Sequence, residues 1–284
     1  MAEDGGQGGN ADQIAYWNAN AGQTWAALQD RLDRLIEPLG AAAMAALAPA
    51  AGERVLDIGC GCGQTTLALA DRVGPTGAVT GADISHPMLA VAQQRASGHA
   101  NVRFVEDDVQ THLFAPGALD AAFSRFGVMF FGDPVRAFAN IRKALRPGGR
   151  LAFVCWRPFD QNPWMNTPMI AAQPLLGEQP APPDPFAPGP FAFADADRTR
   201  GILGDAGWVD VDITPHDEKI GSPTLDAALE VALRVGPLGA QIREKPELAE
   251  AVLDVIRASL SPHMTPEGLR LGTATWIVQA RAPQ

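Results

Sequence analysis

The run Val55-Leu56-Asp57-Ile58-Gly59-Cys60-Gly61-Cys62-Gly63 constrains this chain more than any other feature. A short apolar stretch followed by glycines at alternate positions reads as a strand, a turn tight enough to need residues without a Cβ, and then a helix. In open α/β sheets such a turn lets a ligand lie against bare main chain at the end of the first strand. The same alternation continues downstream. Apolar stretches at 55–58, 78–82, 102–105, 119–124 and 150–155 read as strands, and Gln64–Val73, 87–96 and 134–145 as the helices between them. Strand and helix repeated at this interval imply a parallel sheet covered on both faces.

The acid at position 57 narrows the ligand. A carboxylate two residues before the first glycine would repel a diphosphate seated on a helix N-terminus, and would attract a ligand carrying positive charge. The glycine spacing, G-x-G-x-G rather than G-x-G-x-x-G, also departs from the dinucleotide pattern. Twenty residues past Gly63, Asp83 ends the second strand within Gly81-Ala82-Asp83-Ile84-Ser85, where a carboxylate can accept both ribose hydroxyl protons of a nucleoside. Glu106-Asp107-Asp108 ends the third strand. Three acidic strand ends in succession, on the side where open sheets bind ligands, point to a cationic nucleoside.

Around this core the chain divides into segments. A disordered tail is expected over 1–12 and a helical cap over 13–50, where Trp17, Trp25, Leu28, Leu32, Leu35, Leu39 and Met44 recur at helical spacing. The core occupies 51–156, with Pro147-Gly148-Gly149 expected to stop the helix that begins at Pro134 and to turn into the fifth strand. Residues 157–194 carry Pro180, Pro182, Pro183, Pro185, Pro188 and Pro190 and read as an irregular insertion rather than part of the sheet. Residues 195–220 return to the core, with a helix over 195–206 and a strand over 208–213. A helical insertion or lid over 221–268 precedes a final strand within 269–284.

Composition excludes several partners. A net charge of −10, with 22 scattered basic residues, argues against binding a phosphate backbone, so no nucleic-acid partner is expected. The three cysteines, Cys60, Cys62 and Cys155, suit neither a disulfide framework nor a metal site. The start of the chain has no basic and apolar stretch of the signal-peptide kind, and the longest uncharged stretch, 40–52, is too short to span a bilayer. A cytoplasmic protein without stable membrane insertion is the expectation; oligomeric state is not encoded in any pattern here.

The motifs VLDIGCGCG, GADIS, FVEDDVQ, DAAFSRFGVMFF and LRPGGRLAFVCW resemble, in order, those of class I S-adenosylmethionine (SAM)-dependent methyltransferases. The nearest resemblance is to the small-molecule branch that includes the ubiquinone and menaquinone-biosynthesis enzymes. It covers residues 13 to 156 well and the later strands more loosely. It implies a Rossmann-like, doubly wound, seven-stranded α/β sheet in the order 3-2-1-4-5-7-6 with the last strand antiparallel, bearing a helical N-terminal cap and inserted lid segments. It also implies SAM as cofactor, S-adenosylhomocysteine as product and no metal. Asp57 would hold the methionine ammonium through water, and Gly59, Gly61 and Gly63 would lie under the methionine and ribose. Asp83 would take the ribose hydroxyls, with Ile84 and Met88 against the adenine. Asp108 would accept the adenine amino group, the Val109 amide would meet the ring, and Ser124 would bring its backbone near the methionine. Cys60 and Cys62 then fill space.

Methyl transfer from a sulfonium needs alignment above all, and an apolar, aromatic pocket suits a reaction that disperses charge. The segment Ser124-Arg125-Phe126-Gly127-Val128-Met129-Phe130-Phe131 follows the fourth strand, and Phe126 and Met129 are candidate pocket residues, as are Trp156 and Trp164. Arg125 is either an anchor for the substrate or half of a structural ion pair. Tyr16, the only tyrosine, either lines the site from the cap or packs there. His112 would serve as general base if the acceptor must lose a proton; a surface loop position is its other reading. The expected activity is methyl transfer to a small, partly apolar metabolite at carbon, oxygen or nitrogen. The alternatives are a nicotinamide-dependent oxidoreductase, favoured only by the glycine loop and Asp83, and a non-catalytic SAM-binding protein.

Overall fold

A computed structural model describes residues 10–177, 184 and 186–284. Residues 1–9 of the expected tail, and Pro180, Pro182, Pro183 and Pro185, lie outside the described residues. At the centre is a seven-stranded sheet in the order β3-β2-β1-β4-β5-β9-β6. Its strands are β1 (Arg54–Ile58), β2 (Ala78–Asp83), β3 (Val102–Glu106), β4 (Leu119–Arg125), β5 (Leu145–Trp156), β6 (Val209–Ile220) and β9 (Leu271–Arg281). The first five pair in parallel, and β9 runs antiparallel between β5 and β6. A separate hairpin of two short strands, β7 (Met264–Thr265) and β8 (Gly268–Leu269), precedes β9. The architecture is the doubly wound, Rossmann-like sheet with an antiparallel last strand.

Successive residues of a strand face opposite sides, yet Val55, Leu56, Asp57 and Ile58 are all buried, so β1 is covered on both faces. The covering helices are α4 (Gln64–Val73) and α5 (His86–Arg95) beside β1 to β3, and α6 (Pro134–Ala144) and α8 (Ala196–Asp205) toward β5 and β6. Asp133 caps α6 by accepting from the Arg136 amide at 3.0 Å, and Asp195 caps α8 by accepting from Arg198 N at 3.0 Å. The N-terminal helices α1 (Ala11–Asn18), α2 (Asn20–Ala27) and α3 (Gln29–Leu47) divide the segment read as one cap. Leu32, Leu35, Ile36, Leu39, Ala43 and Leu47 form a buried stripe on α3, which packs across β4, β5 and β9 as a core layer.

Two local readings need correction. Pro147-Gly148-Gly149 does not stop the helix, which has ended at Ala144; it sits inside β5, where the register slips between the pairs Leu119↔Leu145 and Ala121↔Arg150. Gly148, at φ +71°, absorbs that slip. Nor is the proline-rich insertion irregular throughout, since α7 (Pro163–Leu176) opens it. Pro163 stands at the first turn, where no N–H is required. Pro168 and Pro174 lie inside the helix, the composition that argued against one.

Helices α7, α9 (Leu225–Arg234), α10 (Gly236–Glu244) and α11 (Ala249–Leu260) share a second apolar core that includes Leu229, Val252, Ile256 and Leu260. This cover leaves the sheet after Ile220 and rejoins it at Leu271, and these two residues pair with each other across β6 and β9. At the crossing a Cβ on Gly221 would collide with the Leu269 carbonyl, Gly268 takes φ +103°, and Leu269 N donates to Ser222 O at 2.9 Å. Among the described residues no helix is long and apolar enough to cross a membrane.

Candidate active site

The three glycines of the loop after β1 all take the left-handed conformation, at φ +64°, +54° and +81°, for different reasons. A Cβ on Gly59 would stand 2.7 Å from Gly127 Cα, so this glycine lets the β1 and β4 loops touch. A Cβ on Gly63 would meet Ala92 of α5 at 3.0 Å. Only the Gly61 position opens outward, with nothing nearer than Met88 Sδ at 3.8 Å. Gly61 is therefore the bare main chain that a ligand can reach.

The acids at the strand ends are tied down by this loop. Asp83 accepts from Gly61 N at 2.7 Å and from Ser85 N at 2.9 Å, which aligns the β2 tip with the glycine turn. Burial raises its pKa, and those backbone donors oppose the rise. Asp57 is fully buried; its Oδ2 accepts from Thr65 Oγ1 at 2.7 Å and Thr66 Oγ1 at 2.6 Å, and its Oδ1 is buried with no partner. Burial pushes its pKa up to about 6, against the two threonine hydroxyls and the charge of Arg125. Asp108 accepts from Gln110 N at 3.0 Å and Gln110 Nε2 at 2.7 Å. Ser124 donates to Ile58 O at 2.8 Å and accepts from Gly127 N and Val128 N, so its hydroxyl fixes the β4 loop.

Arg125 forms an ion pair. Its Nη2 reaches Asp33 Oδ1 at 3.1 Å, its Nη1 donates to Gln64, and the second Asp33 oxygen pairs with Arg95 at 2.8 Å. Arg95 also donates to Cys62 O at 2.9 Å, so α3 is bound to the glycine loop through one shared carboxylate. Burial lowers the pKa of Arg125, and Asp33 opposes that shift. The cap is fastened a second time: Asn18 donates to Ile84 O at 2.7 Å and accepts from His86 N at 2.9 Å, while Ser85 Oγ donates to Trp17 O at 2.8 Å.

These elements enclose a cavity of about 280 Å³ at the C-terminal ends of the parallel strands. Of the residues singled out in the sequence, Gly59, Gly61, Asp83, Ile84, Met88, Asp108, Val109, Arg125, Phe126, Met129, Trp156 and Trp164 line it. Asp57, Gly63 and Ser124 stand behind the wall and support it. Tyr16 is 49% exposed on the cap surface, whereas its neighbour Trp17 lines the cavity and packs edge-on against Trp25 and Phe130. His112 is not on the wall; its Nδ1 lies 2.7 Å from Asp107 Oδ2 and its ring packs on Phe114. Trp17, Trp25, Asp33 and Phe130 line the site without having been singled out as pocket residues. Cys60 and Cys62 also line it, and burial pushes the Cys62 thiol up to about 12.

Residues 55–149 match the family model described as a methyltransferase domain. The match runs from β1 into β5 and so takes in the glycine loop and the acidic ends of β2 and β3. Aklanonic acid methyltransferase DauC of Streptomyces sp. (strain C5) is 36% identical over 127 residues, which cover 44% of this chain and 58% of that one. The demethylmenaquinone methyltransferase of Thermus thermophilus is 38% identical over 109 residues, 38% of this chain and 49% of that one. The chain thus spans about half the length of the curated methyltransferases it matches. Among solved structures, Haemonchus contortus phosphoethanolamine N-methyltransferase 2, in complex with phosphomonomethylethanolamine and S-adenosylhomocysteine, aligns with a TM-score of 0.54. The match covers 87% of this chain and 53% of that one at 20% identity, a likeness of fold.

Proposed function

We propose that this protein transfers a methyl group from SAM to a small, partly apolar metabolite, leaving S-adenosylhomocysteine. The observation that carries this reading is the continuity of one cavity, with Gly61, Asp83 and Asp108 at one end and Phe126, Met129, Trp156 and Trp164 at the other. The first end suits a cationic nucleoside. A carboxylate has about four lone-pair sites, so Asp83 retains acceptor capacity for the ribose hydroxyls after meeting two backbone amides. Asp108 and the Val109 amide would take the adenine edge, with Ile84 and Met88 against its face. Gly59 and Gly61 would leave room for the methionine and ribose. Asp57, with its unpartnered Oδ1, would present charge toward the ammonium through water, and Gly63 and Ser124 would hold the loops in place.

Bound SAM supplies an electrophilic methyl on a sulfonium. The chain's part is to align the acceptor opposite the sulfur at about 3 Å and to keep water out with its aromatic wall. Positioning carries the rate in this reading, because His112 stands outside the wall. The Asp33–Arg125 pair fastens the cap over the donor end.

Calorimetry with SAM, S-adenosylhomocysteine and NAD tests the donor assignment. The expected result is binding of the first two alone, and NAD binding without SAM binding would replace the reading by the oxidoreductase one. A search of cell extract for metabolites that gain a methyl mass from labelled SAM then identifies the acceptor.

A further inference from the structure

Two indoles of this protein, Trp208 buried and Trp276 half-buried, have found carbonyl partners: Trp208 Nε1 donates to Phe138 O at 3.1 Å and Trp276 Nε1 to Ala194 O at 2.8 Å. Trp164 differs. Its Nε1 is buried with no partner, although the residue lines the cavity from the first turn of α7. A buried, unpaired N–H is costly, and tryptophan N–H groups in protein interiors are normally satisfied. The ring belongs to an ordered aromatic wall: Trp164 lies 5.8 Å from Trp156, and Trp156 stacks on Phe126 at 4.2 Å with planes 8° apart. Phe126 holds its place at φ +64°, a strained conformation for a bulky residue, with its N–H bound to Val154 O at 3.1 Å. The acidic and basic side chains on the cavity wall, Asp33, Asp83, Asp107, Asp108 and Arg125, all come from the donor side or its cap. Among the described residues, the wall beyond the stack is apolar apart from Ser222. A charged acceptor would lose its hydration there without a counter-charge.

We infer that Trp164 is the specificity-determining hydrogen-bond donor of the acceptor pocket, reading a neutral oxygen on a flat ring system that lies against the Phe126–Trp156–Trp164 wall. This deepens the methyl-transfer reading and rests on it. The ligand class is an uncharged, ring-bearing ketone or ether; the ring gains stacking area, and its oxygen satisfies the orphaned donor. Trp164 positions the acceptor and takes no proton from it.

The test uses the full chain saturated with S-adenosylhomocysteine and two probes of one shape, α-tetralone and its hydrocarbon tetralin, titrated by equilibrium dialysis. Wild type is expected to hold the ketone roughly tenfold tighter than the hydrocarbon. W164F should lose or reverse this preference, because the ketone oxygen would be desolvated without a donor, with S-adenosylhomocysteine affinity changed less than about twofold. Replacing Trp164 by its benzothiophene analogue, which keeps the bicyclic shape without the donor, gives the same readout should the phenylalanine variant unfold. W156F should weaken both probes and preserve the preference. A wild type without preference, or a donor-less variant that retains it, overturns the inference. Failure of S-adenosylhomocysteine to bind any of the proteins would overturn the donor assignment instead, since the ketone-to-hydrocarbon ratio is read separately.

Discussion

The two ends of the cavity are built on opposite principles. At the glycine-loop end nearly every polar group is met by main chain or a neighbouring side chain: Asp83 by Gly61 and Ser85, Asp57 by two threonines, Asp108 by Gln110, Arg125 by Asp33. At the aromatic end the wall comes from the segment after β4, the end of β5, and α7, α9, α10 and α11, and it is held by apolar packing. Charge placed by backbone geometry tolerates little change, because removing one partner strands another in a dry place. A wall defined by volume tolerates replacement by side chains of similar size.

Substitutions at both ends can break that contrast. The largest effect is expected from Asp33→Ala, which leaves Arg125 and Arg95 without the carboxylate they share; urea unfolding should register a loss of about 3 kcal/mol. Met165→Leu, on the apolar wall, should cost less than about 1.5 kcal/mol in the same measurement. Equal losses would erase the distinction. Next comes Asp83→Ala, which strands Gly61 N and Ser85 N and should weaken S-adenosylhomocysteine binding roughly thirtyfold by calorimetry, a cost of about 2 kcal/mol.

Asp57 gives a smaller effect with a distinctive sign. Its carboxyl titrates at about 6, so lowering the pH from 7.5 to 5 neutralises it, and affinity for the cationic SAM should fall several-fold. Stability runs the other way. A folded value above the unfolded 3.8 means that the native state binds the proton more tightly; its stabilising contribution is full below 3.8 and is lost as pH rises through 6. Asp57→Asn should therefore flatten the pH dependence of SAM binding and leave stability at pH 7.5 unchanged or higher, as read by thermal unfolding. A slope that survives the substitution would assign the titration elsewhere. Least of all, His112→Ala should alter turnover by less than about twofold, because the imidazole stands outside the cavity wall; a loss of a hundredfold would restore it as the general base.

The glycine-loop end of the cavity was legible in the sequence because main-chain requirements leave letters behind. Left-handed turns select glycine at 59, 61 and 63, and a sheet buried on both faces writes Val55-Leu56 and Ile58 as an apolar run interrupted only by Asp57. The cap and cover left no such marks. Trp17 and Tyr16 are neighbours about 100° apart on one helix, and only tertiary packing decides which faces inward. Asp33 reads as one more charge on an amphipathic helix until Arg125, far along the chain, is brought against it. Prolines weighed against α7 for the same reason: propensity is a local quantity, and burial of Pro168, Ala172 and Leu176 overrode it.

The neck formed by Gly221 and Gly268 has a consequence for how such a chain can diversify. Because the cover departs from Ile220 and returns at its ladder partner Leu271, its two attachment points coincide in space. Whatever is threaded between them can leave the ladder of β6 and β9 untouched, provided that it still covers the apolar face of α7. A change of shape above the sheet then enters through a single seam, with the ladder beneath it unaltered.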